Sequence, residues 1–565
     1  MSLRLWPLDH GMPENYVPDT HVVKNALGMA RDKNPVPELR EYGSTYPNLI
    51  PYLLLPAYGA QFAIGRVTGA WGGAQEFGQR LMVEPSRAHR TARRILALLS
   101  CLAPAIAYRA ARAMGLGAGA WGAAYLVATS LLHVHLSTQE RPWALMATFL
   151  LLACWPAALY AQQGGRRYLL FAGLAAAGAA ASHQSGLLVL GVPGLAWLFG
   201  PEGWSGTALR NRILDGFACV ALFAAAALVV GYPHLVLHGA VDESQVAAGD
   251  SMGDNAVQFG GQAVVFQLRA ATFTKLGTAL VGSEPVSLLL GLLGLAVALR
   301  TRASRPAVVF ALGWSAFFLT NQNDHVRYLL PIAVLLAFPA GFALERLWGR
   351  PSMRAVLLVL LALPLVQALR LGWVLRQTDT RAVAAEQLTR DYPEVQLAID
   401  AHGPALPLDL QSLERLAGWR DLGGRERYRL ELLRAGELAG GFDAVPLEAI
   451  FDYDLRSRTS RVEAEEEEEL GSEPNEALRR LGRTHLLVVD RAPDDGRQPI
   501  LLDPESGVDK MPAIAVDPEP LFVVNPAGEG GRAGDGNLPA ELTFPLTQLW
   551  QLERPGPLLR LHALR

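Results

Sequence analysis

The feature that most limits how this chain can fold is a series of long apolar runs between Ile95 and Trp373. There are ten, at 95–112, 117–134, 142–161, 168–182, 186–199, 213–233, 285–299, 306–320, 328–344 and 354–373. Most approach the roughly 17–25 residues that a helix needs to cross about 30 Å of hydrocarbon. Hydrocarbon offers an unpaired backbone amide no water, so the runs predict helices that satisfy their own backbone groups. The expected fold is mainly α, a polytopic membrane helical bundle. The pair 168–182 and 186–199 is short, and the break His183-Gln184-Ser185 between them predicts a tight hairpin.

Arginine placement orients the bundle, because short cytoplasmic loops are enriched in Lys and Arg. Arg109 and Arg112, Arg166 and Arg167, Arg210 and Arg212, Arg300, Arg302 and Arg305, then Arg346, Arg350 and Arg354 fall in every second connection. Those loops are expected inside. The loops with STQER (137–141), HQS (183–185), the segment 238–284 and NQNDHVRY (321–328) then face outside, with both chain ends. Counting YPNLIPYLLLPAYGAQFAIG (46–65) as a crossing would invert every later loop. Its three prolines and three tyrosines predict a broken element at the outer membrane interface instead. An outer segment ahead of an outside-to-inside helix needs something to carry it across, so a further helix upstream of Met1 is expected.

After Arg376 the sequence turns polar and rich in Pro and Gly, with strand-like QLAID (396–400), THLLVVD (484–490) and LFVV (521–524). A C-terminal soluble α/β domain is expected. Three regions follow: an outer N-terminal loop with juxtamembrane helices (1–94), the transmembrane bundle of about ten helices (95–375) and an extracytoplasmic soluble domain (376–565). EAEEEEEL (463–470) reads as a solvated loop, since adjacent like charges repel, and GEGGRAGDG (528–536) as a linker, since no helix follows it.

Composition supports the split. With 51% hydrophobic and 18% charged residues the chain is too apolar to be disordered. Its formal net charge of −3 provides no field that gathers nucleic acid. Cys101, Cys154 and Cys219 sit inside apolar runs and read as small buried hydrophobes.

Ionisable groups at a membrane edge are expensive and are functional candidates by default. They gather on the expected outer face: Glu14 and Asp19 in PENYVPDTH, Arg93 and Arg94, Glu140 and Arg141, His183, then Asp324, His325 and Arg327. Carboxylates among cations suit a reaction in which a base takes a proton while a phosphate departs. Each has a plainer reading: Asp19 caps the helix that follows it, and Arg93 and Arg94 bind lipid head groups. His133 and His135 resemble a metal pair, but i and i+2 on a helix point to different faces, so packing is favoured.

A Pro-Asp step, YPNLIPYLL, an Arg opening a span, ERPWALM (140–146), ASHQSGLLVL (181–190), HVRYLLPIAVLLA (325–337) and DTRAVAAEQL (379–388) follow in this order. The series resembles the GT-C superfamily of membrane glycosyltransferases, above all the dolichyl-phosphate-mannose protein mannosyltransferase (family 39) and RgtA/B/C/D-like branch. The resemblance covers about residues 11–390, and QLERPGPLLRLHAL near the end is similar too. It implies a GT-C type bundle that transfers a sugar from a polyprenyl-phosphate donor to an acceptor on the outer face.

It also implies roles. The catalytic Asp maps onto Asp19, with Thr20 where the family usually carries Glu. Glu140 occupies the loop of a further acidic residue. His183 stands where Lys is common, so phosphate neutralisation there is expected to depend on pH. Arg327, paired with Tyr328, is the expected phosphate ligand, because its guanidinium is permanently charged and matches phosphate oxygens. Arg93, Arg94 and Arg141 complete the substrate-binding set, and inversion at the anomeric carbon is expected. Nucleotide sugars are not expected as donors. No metal ligands and no cofactor are assigned, with a divalent cation left open. The expected partners are the polyprenyl-phosphate sugar, membrane lipid and a protein, lipid or glycan acceptor, in a bacterial inner membrane. A glycan flippase or transporter would carry its charges near the midplane and show repeats, and a polysaccharide ligase or polymerase shares the donor but not the motif order.

Overall fold

The computed structural model describes residues 2–12, 14, 16, 21–37, 46–201, 205–237, 256–259, 262–265, 270–320, 326–400, 403–447, 474–489, 497–498, 514–528 and 549–565. They form two compact units. One comprises 1–8, 17–64 and 88–373, the other 9–16, 65–87 and 374–565.

The first unit is helical, and each apolar run of the sequence is mostly helix. Among the described residues, Ser86–Ala113, Trp143–Gln163, Gly206–Val230, Val326–Trp348 and Pro351–Asp391 are long and apolar enough to cross a membrane. Leu276–Ser283 and Pro285–Arg300 add a sixth when taken as one span bent by 100°. The chain is an integral membrane protein. The expected hairpin at 183–185 is a 3-10 turn, Gln184–Leu190, after the helix Arg166–Ser182. Gly186 permits it, since a Cβ there would sit 2.1 Å from the Ala179 carbonyl oxygen.

Small residues set the packing. A Cβ at Gly294 would lie 1.8 Å from the Pro339 oxygen, and one at Gly119 2.2 Å from the Gly341 oxygen. Lipid tails are as apolar as Leu, so close backbone approach replaces the hydrophobic effect as the source of helix adhesion.

The segment 46–65 differs from expectation. It forms one continuous helix, Leu49–Val67, with Pro56 inside. Pro51 falls in the first turn, where an amide has no helical partner anyway, so only Pro56 removes a bond. Ile50, Leu54 and Tyr58 are buried at four-residue spacing, and the Tyr58 hydroxyl donates to the Ala88 carbonyl at 3.1 Å.

β1 (Ala256–Phe259) and β2 (Gln262–Val265) form an antiparallel hairpin. The second unit carries β3 (Leu397–Ile399), β4 (Ala444–Pro446), β5 (His485–Val489), β6 (Arg497–Gln498), β7 (Ile514–Ala515), β8 (Phe522–Val524) and β9 (Leu559–Ala563). Five of these make a mixed sheet in the order β4-β3-β5-β9-β8, with β3 parallel to β4 and β5 and with β9 antiparallel to its neighbours. All three strand-like stretches of the sequence lie in it. Leu487 and Val489 enter one apolar cluster, Leu486 and Val488 another, so both faces are covered. That explains why β5 reads as an unbroken apolar run rather than an alternating one. The acidic run 463–470 lies outside the described residues, as does the Gly-rich stretch after Gly528.

Candidate functional site

Residues 129–148 of the first unit are buried without interruption, though they include Ser130, His133, His135, Gln139, Glu140 and Arg141. Buried polar groups persist only where partners satisfy them. The partners come from distant parts of the chain.

The stretch begins at a kink, where Gly119–Thr129 ends and Leu131–Ser137 begins. The Arg4 guanidinium donates to the carbonyls of Val127 and Ala128, both at 3.0 Å, placing a cation at the C-terminal end of the first helix. Glu284, fully buried, accepts from the Ser130 hydroxyl at 2.6 Å and the Leu132 amide at 3.3 Å, placing a carboxyl group at the start of the second. Neither residue is a candidate from sequence, because nothing local marks its role. Arg4 also lies 2.9 Å from His133 Nδ1, and a guanidinium only donates, so that nitrogen accepts and the ring is neutral. His135 pairs instead with Gln139, at 3.0 Å. The two histidines have separate partners, and no group of three metal-ligating side chains occurs among the described residues.

Glu140 ends the stretch in an ion-paired cluster. One carboxylate oxygen lies 2.5 Å from Arg93 Nε, the other 3.0 Å from His89 Nδ1. Arg93 also donates to the Leu8 carbonyl at 2.8 Å. Burial would raise the Glu140 pKa, but Arg93 and His89 outweigh it and hold the carboxyl below the usual carboxylate range. Arg94, the next residue along the helix, points away and is exposed, whereas Arg141 is buried.

A second cluster is built from rings. His21 lies 6.4 Å from Tyr46, Tyr46 5.5 Å from His183, and His183 4.1 Å from Trp143, measured between ring centroids. Trp143 meets Tyr328 edge-on at 5.0 Å, and the half-buried Arg327 guanidinium lies 5.7 Å from the centroids of both. Phe318 stacks on Tyr328 at 4.4 Å, and Trp314 Nε1 donates to the Tyr328 carbonyl at 2.9 Å. The ladder therefore joins YPNLIPYLL, ERPWALM, ASHQSGLLVL and HVRYLL, four motifs scattered along the chain. Trp143 is its hub. It stands in a motif legible in the sequence, yet only the fold shows that it touches both cationic candidates. Asp19, Asp324 and His325 lie outside the described residues, and His21 follows Asp19 by two positions.

His183 also shapes the turn that follows it. Its Nδ1 accepts from the Ser185 amide at 3.1 Å, capping the 3-10 turn. With Nδ1 accepting, the neutral ring carries its proton on Nε2, which leaves Nε2–H as a donor.

In the second unit Glu14 is ion-paired with Arg425, which gives that carboxylate a structural partner.

A family model matches residues 77–232. That stretch, which carries Arg93, Glu140, Trp143 and His183, matches the model of a particular family, dolichyl-phosphate-mannose-protein mannosyltransferase. Solved structures are similar at low identity. ArnT from Cupriavidus metallidurans in the apo state is 14% identical, with 86% of this chain and 91% of that one covered and a TM-score of 0.45. The Archaeoglobus fulgidus oligosaccharyltransferase in the apo form is 11% identical, with 86% and 68% covered and a TM-score of 0.39. No curated protein matches the chain.

Proposed function

We propose that the chain transfers a sugar from a polyprenyl-phosphate donor to an acceptor hydroxyl on the extracytoplasmic face of a bacterial inner membrane, with inversion. The observation that carries this is the ring ladder, which sets a half-buried guanidinium and a neutral imidazole donor around Trp143. Arg327 binds the donor phosphate, and its place against two aromatic faces keeps the guanidinium plane oriented. His183 Nε2–H and the Tyr328 ring border the same site.

Asp19 takes the proton of the acceptor hydroxyl as its oxygen attacks the anomeric carbon. The bond from that carbon to the phosphate oxygen breaks, and the polyprenyl phosphate leaves with the electron pair, its charge met by Arg327. Single displacement inverts the centre. Glu140, with both oxygens committed, acts as the counterion that fixes Arg93, and Arg141 adds positive charge beside it. Arg94, exposed at the start of a long apolar helix, meets lipid head groups.

The test is transfer in proteoliposomes with radiolabelled polyprenyl-phosphate mannose and a panel of protein, lipid and glycan acceptors. Asp19→Asn should abolish transfer while leaving expression and thermal stability unchanged. Undiminished transfer would remove Asp19 as the base.

A further inference from the structure

One buried carboxyl of the bundle unit takes no part in the transfer chemistry. Leu276–Ser283 and Pro285–Arg300 meet at a bend of 100°, and Glu284 is the residue between them. It stands in the N-cap position of Pro285–Arg300, yet its side chain does not cap that helix. The carboxyl reaches across 154 residues to Ser130 instead, at the kink where Gly119–Thr129 gives way to Leu131–Ser137.

The bonds at the kink form a relay. The Ser130 hydroxyl has one proton and gives it to Glu284 Oε1 at 2.6 Å, which leaves its lone pairs for the His133 amide, donating to it at 3.3 Å. The Leu132 amide donates to the same carboxyl oxygen at 3.3 Å, and the Ser287 hydroxyl to the other oxygen, also at 3.3 Å. Arg4 closes the far side of the kink on the carbonyls of Val127 and Ala128. Arg4, Ser130, Glu284 and Ser287 are all buried, so a partner lost here is not replaced by bulk water.

This joint lies at the root of two elements that meet Arg327. The helix Leu131–Ser137 begins at the joint and the helix Ala270–Ser283 ends at it, and both pack against the 3-10 turn Val326–Leu329. The turn that carries Arg327 and Tyr328 is thus braced by two helices that share one fastening. We infer that Glu284 is a positioning residue for the donor phosphate, aiming Arg327 through these two helices. The inference rests on the reading of Arg327 as the phosphate ligand. A misplacement of about 1 Å can cost a positioned group about 100-fold, so slack at the joint should appear at the phosphate.

The test uses the full chain in nanodiscs with undecaprenyl phosphate as the probe. Glu284→Ala leaves the Ser130 hydroxyl and the Leu132 amide without their acceptor and should weaken binding by about tenfold or more. Glu284→Gln keeps an oxygen that accepts from both and should stay within about threefold of wild type. In the Arg327→Ala background, Glu284→Ala should change the residual affinity by less than about twofold, because residues that act through one another are not additive. Ser130→Ala breaks the relay but spares the Leu132 bond, so it should cost about threefold to fivefold, and it carries the test should Glu284→Ala not fold. Wild-type affinity in folded Glu284→Ala, or in Ser130→Ala where that variant carries the test, overturns the inference. So does a full additive loss in the Arg327→Ala background, or a Glu284→Gln chain as weak as Glu284→Ala. An Arg327→Ala chain that binds undecaprenyl phosphate like wild type overturns the phosphate-ligand reading, and this inference with it. Weak binding by Arg327→Ala beside unaltered binding by Glu284→Ala removes the positioning role alone.

Discussion

Arg93 and Arg327 are both guanidiniums of the bundle unit, yet they stand in different surroundings. Arg93 is fully buried, with Glu140 at 2.5 Å and a backbone carbonyl at 2.8 Å. Arg327 is half-buried and lies against the rings of Trp143 and Tyr328. A carboxylate pairs with a cation through its charge, whereas an aromatic face orients the plane of a guanidinium. In sequence both arginines are substrate-binding candidates, with Arg327 the expected phosphate ligand. The difference is one of partner, and only the fold supplies partners.

The comparison is open to direct attack. The largest effect is expected at Arg327. Its replacement by Ala should lower transfer on the order of 10²- to 10³-fold, as loss of a preorganised charge at the leaving group does. Arg327→Lys should recover only part of this, measured as initial rates together with undecaprenyl phosphate affinity. Losses equal to those of Arg93→Lys would erase the distinction.

At the other cluster the expected readout is stability. Glu140→Gln leaves Arg93 buried against a neutral group and should destabilise the chain by about 3–5 kcal/mol at neutral pH, read from thermal unfolding in detergent. The folded carboxyl titrates below its ordinary value. The stabilisation is therefore complete above the unfolded carboxylate range and is lost as pH falls through the folded value. The gap between wild type and Glu140→Gln should close on acidification, and a gap that widened there would refute the pairing. Trp143→Phe should cost about tenfold in transfer, since it keeps a ring at the hub but shortens the face that meets Arg327. Smallest is His183→Asn, which can still cap the turn and donate, with less than about tenfold expected in rate. A large loss there would show that the imidazole does more than donate a hydrogen bond.

Much of the fold is legible in the sequence because its causes are local. Apolar runs of span length become helices whatever surrounds them, and HLLVV becomes a strand buried on both faces. The ring ladder is half legible. Tyr46, His183, Arg327 and Tyr328 stand in motifs whose order is recognisable, but Trp143 as their meeting point depends on three helices arriving together. Arg4 and Glu284 are not legible at all. Arg4 serves carbonyls 123 and 124 residues away, and Glu284 serves Ser130 across 154. No periodicity encodes such pairings. The continuous helix through Pro56 marks the opposite error, a local rule applied where tertiary contacts of Ile50, Leu54 and Tyr58 prevail.

The close glycine contacts at Gly119 and Gly294 bear on how the molecule yields under load. Where backbone meets backbone with no side chain between, neither helix can loosen by changing a rotamer, so the helices Gly119–Thr129, Pro285–Arg300 and Ala337–Trp348 should come apart only as one block. The helix Gly206–Val230 presents Phe217, Val220 and Val229 outward and shares little of that constraint. Pulled from the bilayer by a force probe, the chain should surrender that helix early and alone, and the glycine-packed trio in a single larger step.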